Sequence, residues 1–255
     1  MTRPYNRSLH SDDYGFLERH IAHLRIFLHH MAVEGVPHRE WHQHRFWEYG
    51  SILQQLQELG VPLDAEIIDV GAGGSFFDPY LALRYDRLCC TDSMKYGDVT
   101  PMVQKQRDAF NIKMPLYDLL LEDMSARPEI GWGEADDKFD VTMCISTIEH
   151  VDDHDKAMRE LVRITKPGGY LFITSDYFRD LAQWEASPSR HLQVTPYMRE
   201  TVEALPGRFG LQFVGNTDLE YKGDFVHSYS FCNLCLRKPS VASTSARADV
   251  NGKTL

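Results

Sequence analysis

Three short stretches hold the residues whose types and spacing could do chemistry. The first is Asp69-Val70-Gly71-Ala72-Gly73-Gly74-Ser75, directly after the apolar pair Ile67-Ile68. Glycines in such a strand-to-helix turn let a ligand approach bare main chain, and ligands of open α/β sheets bind beyond the carboxyl ends of the strands. No Lys follows in the spacing a P-loop needs. The dinucleotide pattern G-x-G-x-x-G fits only in part, because Phe76 stands where its third glycine would be. The loop therefore suits a nucleoside ligand without a diphosphate, although G-x-G alone is weak evidence and a plain tight turn is the lesser alternative.

The second stretch, residues 87–92, ends in Asp92, and a carboxylate there accepts both hydroxyls of a ribose. The third, residues 119–123, ends in Asp123 and is followed by Met124. A carboxylate at that place accepts the exocyclic amine of adenine while the next backbone N–H donates to the ring. Two aspartates in this order on successive strands point to an adenosine site.

The elements that must position them read as follows. Residues 1–60 look helical. Ser11 can cap a helix placing Leu17, Ile21, Leu24, Leu28 and Met31 on one face. A second helix, 45–59, gathers Tyr49, Ile52, Leu53 and Leu56, and Gly60 and Pro62 stop it. From Glu66 onward, apolar runs (66–71, 87–92, 119–123, 139–146 and 169–175) alternate with amphipathic stretches. Asp78-Pro79 and Thr100-Pro101 read as cap plus first-turn proline, Asp152-Asp153 as a helix start, and Lys166-Pro167-Gly168-Gly169 as a turn. Continuous apolar strands alternating with helices predict a parallel sheet covered on both faces. The last pair, 211–216 and 227–238, has no helix between its members and reads as an antiparallel hairpin at the sheet edge.

Composition bounds the function. With 43% hydrophobic and 25% charged residues, the 255-residue chain has material for a sizeable core. A net charge of -10 disfavours nucleic acid and anionic lipid as partners. Mean hydropathy is -0.38, no run has the length of a membrane span, and MTRPYNRSLHSDDYG lacks the apolar stretch of a secretion signal. Five cysteines without such a signal suggest reduced thiols and a cytoplasmic home. Residues 239–255, rich in Ser, Ala, Thr and Asp, read as a disordered tail.

These motifs resemble those of the class I S-adenosylmethionine-dependent methyltransferases. The resemblance covers about 63–238 and rests on IIDVGAGG, Asp92, Glu122-Asp123-Met124, FDVTMCISTIEHV (139–151) and LVRITKPGGYLFITS (161–175). It implies a doubly wound, Rossmann-like seven-stranded sheet, mostly parallel with an antiparallel last strand. Here that sheet would span 61–238, after a helical extension or lid at 1–60. It also implies S-adenosyl-L-methionine as cofactor. Asp69, Gly71, Ala72 and Gly73 would frame its methionine part, Asp92 with Ser93 its ribose, Asp123 and Met124 its adenine, and Ser146 the sulfonium side. Ser75 stands where the family often has a third glycine. N-terminal helices of the family fold over the cofactor, which makes Tyr49, and less directly Trp47, candidates to cover it.

The acceptor on this reading is a small molecule with an O or N nucleophile. His150, in the loop after the fourth strand, is the candidate general base. His154, Asp176, Tyr177, His191 and His227 are further candidates, and the segment 178–197, with Trp184, reads as an acceptor lid or a surface insertion. His38, His42 and His44 complete no recognisable zinc signature, and no metal is expected. Cys232 and Cys235, three apart on a strand, point to opposite faces. Two other readings stay open: an NAD(P)-dependent oxidoreductase on a related fold, and a non-catalytic cofactor-binding protein. The sequence leaves the oligomeric state unassigned.

Overall fold

The computed structural model describes residues 4–39, 43–126, 136–188, 190–192, 195–225 and 229–240. His42, His227 and residues 241–255 of the expected tail lie outside the described residues. The strands are β1 (Asn6–Ser8), β2 (Ile67–Val70), β3 (Leu88–Asp92), β4 (Leu116–Asp118), β5 (Phe139–Ile145), β6 (Thr165–Tyr177), β7 (Gln212–Phe213), β8 (Thr217–Asp218) and β9 (Ser230–Arg237). The helices are α1 (Asp13–Phe16), α2 (Glu18–Val33), α3 (Gln43–Glu58), α4 (Phe77–Ala82), α5 (Thr100–Phe110), α6 (His154–Ile164), α7 (Leu181–Ala186) and α8 (Arg199–Phe209).

The sheet runs β4-β3-β2-β5-β6-β9-β1-β8, with β7 also on β9. Strands β2 to β6 are parallel, and β9 is antiparallel to β6. Because β3 and β5 lie on opposite sides of β2, the chain reverses direction across the sheet there. The loops after β2 and β5 therefore open a crevice at that point. The Rossmann-like α/β fold expected from the sequence is present. Two clusters of buried side chains cover the sheet, one built with α2, α3 and α4, the other with α6 and α8. Cys232 and Cys235 fall into different clusters, as alternation along β9 requires.

Several local expectations need correction. Among the described residues the sheet has nine strands, not seven, because the N-terminal segment adds β1 antiparallel to β9, with β8 beyond it. This leaves β9 inside the sheet rather than at its edge. Asn6 bridges the gap between β1 and β7 along the outer side of β9. Its Oδ1 accepts the Cys235 N–H at 2.8 Å and its Nδ2 donates to the Val214 carbonyl at 2.8 Å. Ser11 caps nothing: Asp13 Oδ2 accepts the His10 N–H at 3.0 Å instead, and α2 starts at Glu18. Lys166 to Gly169 belong to the long strand β6, where Gly168 takes φ +84. The run 119–123 is no strand; pairing stops at Asp118 and residues 121–126 form a 3-10 turn.

The N-terminal helices share a core with the sheet. Leu17, Ile21, Leu24 and Met31 are fully buried, as are Trp47 and Ile52. Trp47 Nε1 donates to Asp13 Oδ2 at 3.0 Å, so this tryptophan packs inside rather than over a ligand. The expected Asp78 and Thr100 caps do not form: α4 begins at Phe77 after Phe76 and α5 at Thr100 after Val99, so both residues lie inside their helices. Asp153 caps α6 by accepting the Lys156 N–H at 2.9 Å, and Pro101 sits in the first turn of α5.

Candidate active site

A cavity of about 390 Å³ lies at the reversal point, within the range of small-molecule sites. The glycine loop forms its floor. Gly71 has φ +81, and a Cβ there would run into the Thr147 side chain, so only glycine fits. Thr147 Oγ1 donates to the Gly71 carbonyl at 3.2 Å, tying the loop after β5 to the loop after β2. From α5, the buried Gln106 Nε2 donates to the carbonyls of Gly74 and Ser75 at 3.3 and 3.2 Å.

Asp92 is fixed from both sides. Its Oδ2 accepts the Gly73 N–H and its Oδ1 the Met94 N–H, each at 2.8 Å. One carboxylate thus sets the glycine loop and still faces the cavity. Arg39 closes this end: its N–H donates to the Gly74 carbonyl at 3.2 Å and its Nη2 to the Tyr96 carbonyl at 2.9 Å.

Beneath the opposite end lies a buried ion pair. Glu48 of α3 is fully buried, and its Oε2 accepts Arg45 Nη1 at 3.0 Å. Its Oε1 accepts Ser146 Oγ and Thr174 Oγ1, both at 2.6 Å. Burial alone would raise this carboxyl. The Arg45 guanidinium, His44 and the two hydroxyls outweigh it and hold the group below its usual range. Ser146 is held at φ +43, unusual for a residue with a Cβ, by this hydrogen bond and by its N–H to the Thr174 carbonyl at 2.9 Å.

Of the residues singled out in the sequence, Tyr49, Asp69, Gly71, Ala72, Gly73, Asp92, Ser93, Ser146 and His150 all line this one cavity. Tyr49 stacks on Phe77 with centroids 4.3 Å apart. His150 closes a short 3-10 turn and meets the Tyr96 ring edge-on at 6.3 Å. Asp123 and Met124 do not line it. Asp123 points outward and pairs with Lys156 at 2.8 Å, and Met124 is fully buried in the core. The neighbouring Glu122 lines the cavity instead, with Leu119, Leu120 and Leu121. Glu122 Oε1 accepts the Asp152 N–H at 2.9 Å, and its buried Oε2 has no hydrogen-bond partner. Arg39, Arg45, Tyr96 and Thr147 also line the cavity without having been singled out.

The other candidates sit elsewhere. His154 Nε2 lies 2.8 Å from the Tyr197 hydroxyl, His44 stacks on Phe231, and Tyr177 donates to the Leu219 carbonyl at 2.6 Å. No described residue of 178–197 lines the cavity, Trp184 and His191 included; 189, 193 and 194 lie outside the described residues.

Behind His150, Glu149 and Asp176 are both buried, and the Asp176 N–H donates to Glu149 Oε1 at 3.3 Å. Burial pushes the Glu149 carboxyl up to about 7. Burial and the charge of Glu149 raise Asp176 well above the carboxylate range, while His150 pulls it down. A folded-state value above the unfolded one gives stability that is complete at low pH and is lost as pH rises through the folded value. The melting temperature should therefore fall between pH 5.5 and 8. Glu149→Gln should flatten that slope in calorimetric scans; an unchanged slope would assign the pH dependence to other groups.

Comparison with known proteins fits this geometry. The family described as "Methyltransferase domain" matches residues 68–173. A ubiquinone biosynthesis O-methyltransferase of Pseudomonas savastanoi pv. phaseolicola is 26% identical over 145 residues, 52% of this chain and 58% of that protein. The chain thus spans a little over half the length of the curated relatives it matches. Among solved structures, an S-adenosylmethionine-dependent methyltransferase from Clostridium acetobutylicum superposes with TM-score 0.57 at 11% identity, covering 76% of this chain and 91% of that one. A 1,6-didemethyltoxoflavin-N1-methyltransferase from Burkholderia thailandensis, solved with S-adenosylhomocysteine bound, gives TM-score 0.53 at 12% identity, covering 74% and 76%. At such identities the superpositions speak for the fold, and the family match speaks for the domain. Residues 68–173 are thus similar to a methyltransferase domain, and the chain shares its fold with solved S-adenosylmethionine-dependent methyltransferases.

Proposed function

We propose that the protein transfers a methyl group from S-adenosylmethionine to a hydroxyl group of a small molecule. The observation that carries this reading is the cavity itself, which joins the glycine loop, Asp92 and His150 in one space. The residues present fit the cofactor. Asp92 on the wall suits a ribose, the Leu119–Leu121 wall suits the faces of a purine, and the orphaned Glu122 Oε2 suits an exocyclic amine. Glu122 thereby takes the role that the sequence suggested for Asp123. Asp69 and Arg45 supply one acid and one base for an amino-acid end.

When bound, the cofactor supplies a methyl group on positively charged sulfur, which departs neutral. The chain's own contribution is then mainly alignment, worth about 7–11 kcal/mol in favourable cases. Thr147 ties the loop after β5 to the glycine loop, Glu48 and Thr174 fix Ser146 beside it, Tyr49 forms part of the cavity wall, and His150 accepts the acceptor's hydroxyl proton. The oxygen nucleophile is favoured by the activity named for the Pseudomonas relative. A small, uncharged or cationic acceptor rather than nucleic acid suits the net charge of -10. All five cysteines are free, which suits a reducing compartment such as the cytoplasm. No described helix is long and apolar enough to cross a membrane.

Incubation with S-adenosylmethionine and a panel of small phenols, alcohols and amines, read by mass spectrometry, tests the proposal. Methylated hydroxy compounds are expected; tight cofactor binding without product from any of them would favour a non-catalytic role. Asp92→Ala should weaken S-adenosylhomocysteine binding by about 1–3 kcal/mol, the scale of losing a buried partner of several groups. Unchanged affinity in a calorimetric titration of the folded variant would remove Asp92 from the site.

A further inference from the structure

Gln106, midway along α5, is fully buried, and its Nε2 donates to three main-chain carbonyls: Pro37 at 3.0 Å, Gly74 at 3.3 Å and Ser75 at 3.2 Å. Carbonyl oxygens only accept, so three of them around one end of the side chain fix that end as the NH2 group. Two N–H groups shared among three acceptors leave one of them forked. Oε1, on the other side, is buried with no donor among the described residues. One turn earlier on the same face of α5, Met102 meets the loop as well: a Cβ on Gly74 would stand 2.8 Å from its Sδ. Gly74 takes φ +72, and its carbonyl also accepts the Arg39 N–H at 3.2 Å. A single amide thus joins three parts of the chain: α5, the glycine loop and the segment 37–39, whose Arg39 lines the cavity.

We propose that Gln106 is a positioning residue for the amino-acid end of the bound cofactor. It does not line the cavity, so it acts through the stretch that does. With the carbonyls of Gly74 and Ser75 drawn toward α5, the backbone ahead of them is held facing the cavity, Gly71 at φ +81 and Gly73 at φ +64. The bond to Pro37 sets Arg39, whose Nη1 comes within 3.7 Å of where a Cβ on Gly73 would stand. The adenosine end keeps anchors that Gln106 does not touch: the Met94 N–H on Asp92 Oδ1 at 2.8 Å and the Asp152 N–H on Glu122 Oε1 at 2.9 Å. A methionine would fill the same space without burying an unpaired oxygen, so the amide is there for its N–H groups. The inference rests on reading the cavity as the S-adenosylmethionine site, with the amino-acid end over the glycine loop.

The test is calorimetric titration of the full chain with S-adenosylhomocysteine and with methylthioadenosine, which keeps the nucleoside and lacks the amino-acid end. Each variant is titrated well below its melting temperature. Gln106→Met, close in volume and without a donor, should bind S-adenosylhomocysteine about tenfold more weakly and methylthioadenosine within about twofold of wild type. Gln106→Glu restores one donor while protonated and none once ionised. Relative to wild type at each pH, its affinity for S-adenosylhomocysteine should fall as pH rises from about 5.5 to 8, with that for methylthioadenosine flat. This second variant decides the matter if Gln106→Met does not fold. Equal losses for the two ligands, or no loss for either, would overturn the inference by reducing Gln106 to packing, and leave the functional reading intact. No binding of either ligand by the wild type would overturn the functional reading, and the inference with it.

Discussion

Glu48→Ala should lower stability by about 3 kcal/mol, a fall in Tm of roughly 6–12 °C for a chain of this size. Removing this carboxylate strands the Arg45 guanidinium and deprives two buried hydroxyls of their acceptor. Breaking a buried ion pair from one side typically costs about 3–5 kcal/mol; the lower end applies because Arg45 keeps 26% of its side chain accessible and can be hydrated from the cavity. The damage should extend to the site, since Glu48 holds Ser146 in its left-handed conformation. Glu48→Gln keeps the shape and loses the charge, so it should fall between wild type and Glu48→Ala. A change below about 1 kcal/mol in denaturant unfolding of Glu48→Ala would mean that α3 is held by its apolar face alone.

His150→Ala should reduce turnover of a hydroxyl acceptor by about 10²–10⁴ while leaving S-adenosylhomocysteine affinity close to wild type. His150 lines the cavity at the loop after β5, beside Ser146 and Thr147, and senses the buried Asp176. A general base contributes only where a proton must leave during the reaction, so the loss should appear in kcat rather than in cofactor binding. Near-normal turnover would reduce His150 to a structural residue of the 3-10 turn.

Much of the site was legible in the residues because its glycines and Asp92 obey local rules. A glycine with φ +81 and a carboxylate closing a strand leave marks that one sequence can carry. The strands β2, β3, β5, β6 and β9 are long apolar runs and equally readable. By contrast β1 and β8 are Asn-Arg-Ser and Thr-Asp, too short and too polar to signal a sheet. β1 pairs with β9 and β8 with β1, partners that lie far apart along the chain. The run Leu119–Leu121 misled for a different reason. It is apolar because it walls a cavity, not because it is a strand, and this moved the inferred acidic residue from Glu122 to Asp123. Glu48 gave no signal at all: a glutamate in a helix reads as solvated until Arg45, Ser146 and Thr174 are seen around it.

A crystal structure of the protein with S-adenosylhomocysteine tests the assignment of this cavity most directly. The ligand is predicted to lie with its ribose hydroxyls on Asp92, its adenine against Leu119–Leu121 with the amine on Glu122, and its amino-acid end over Gly71–Gly73 beside Asp69. Density for the ligand outside this cavity, or a cavity left empty at saturating ligand, would contradict the account.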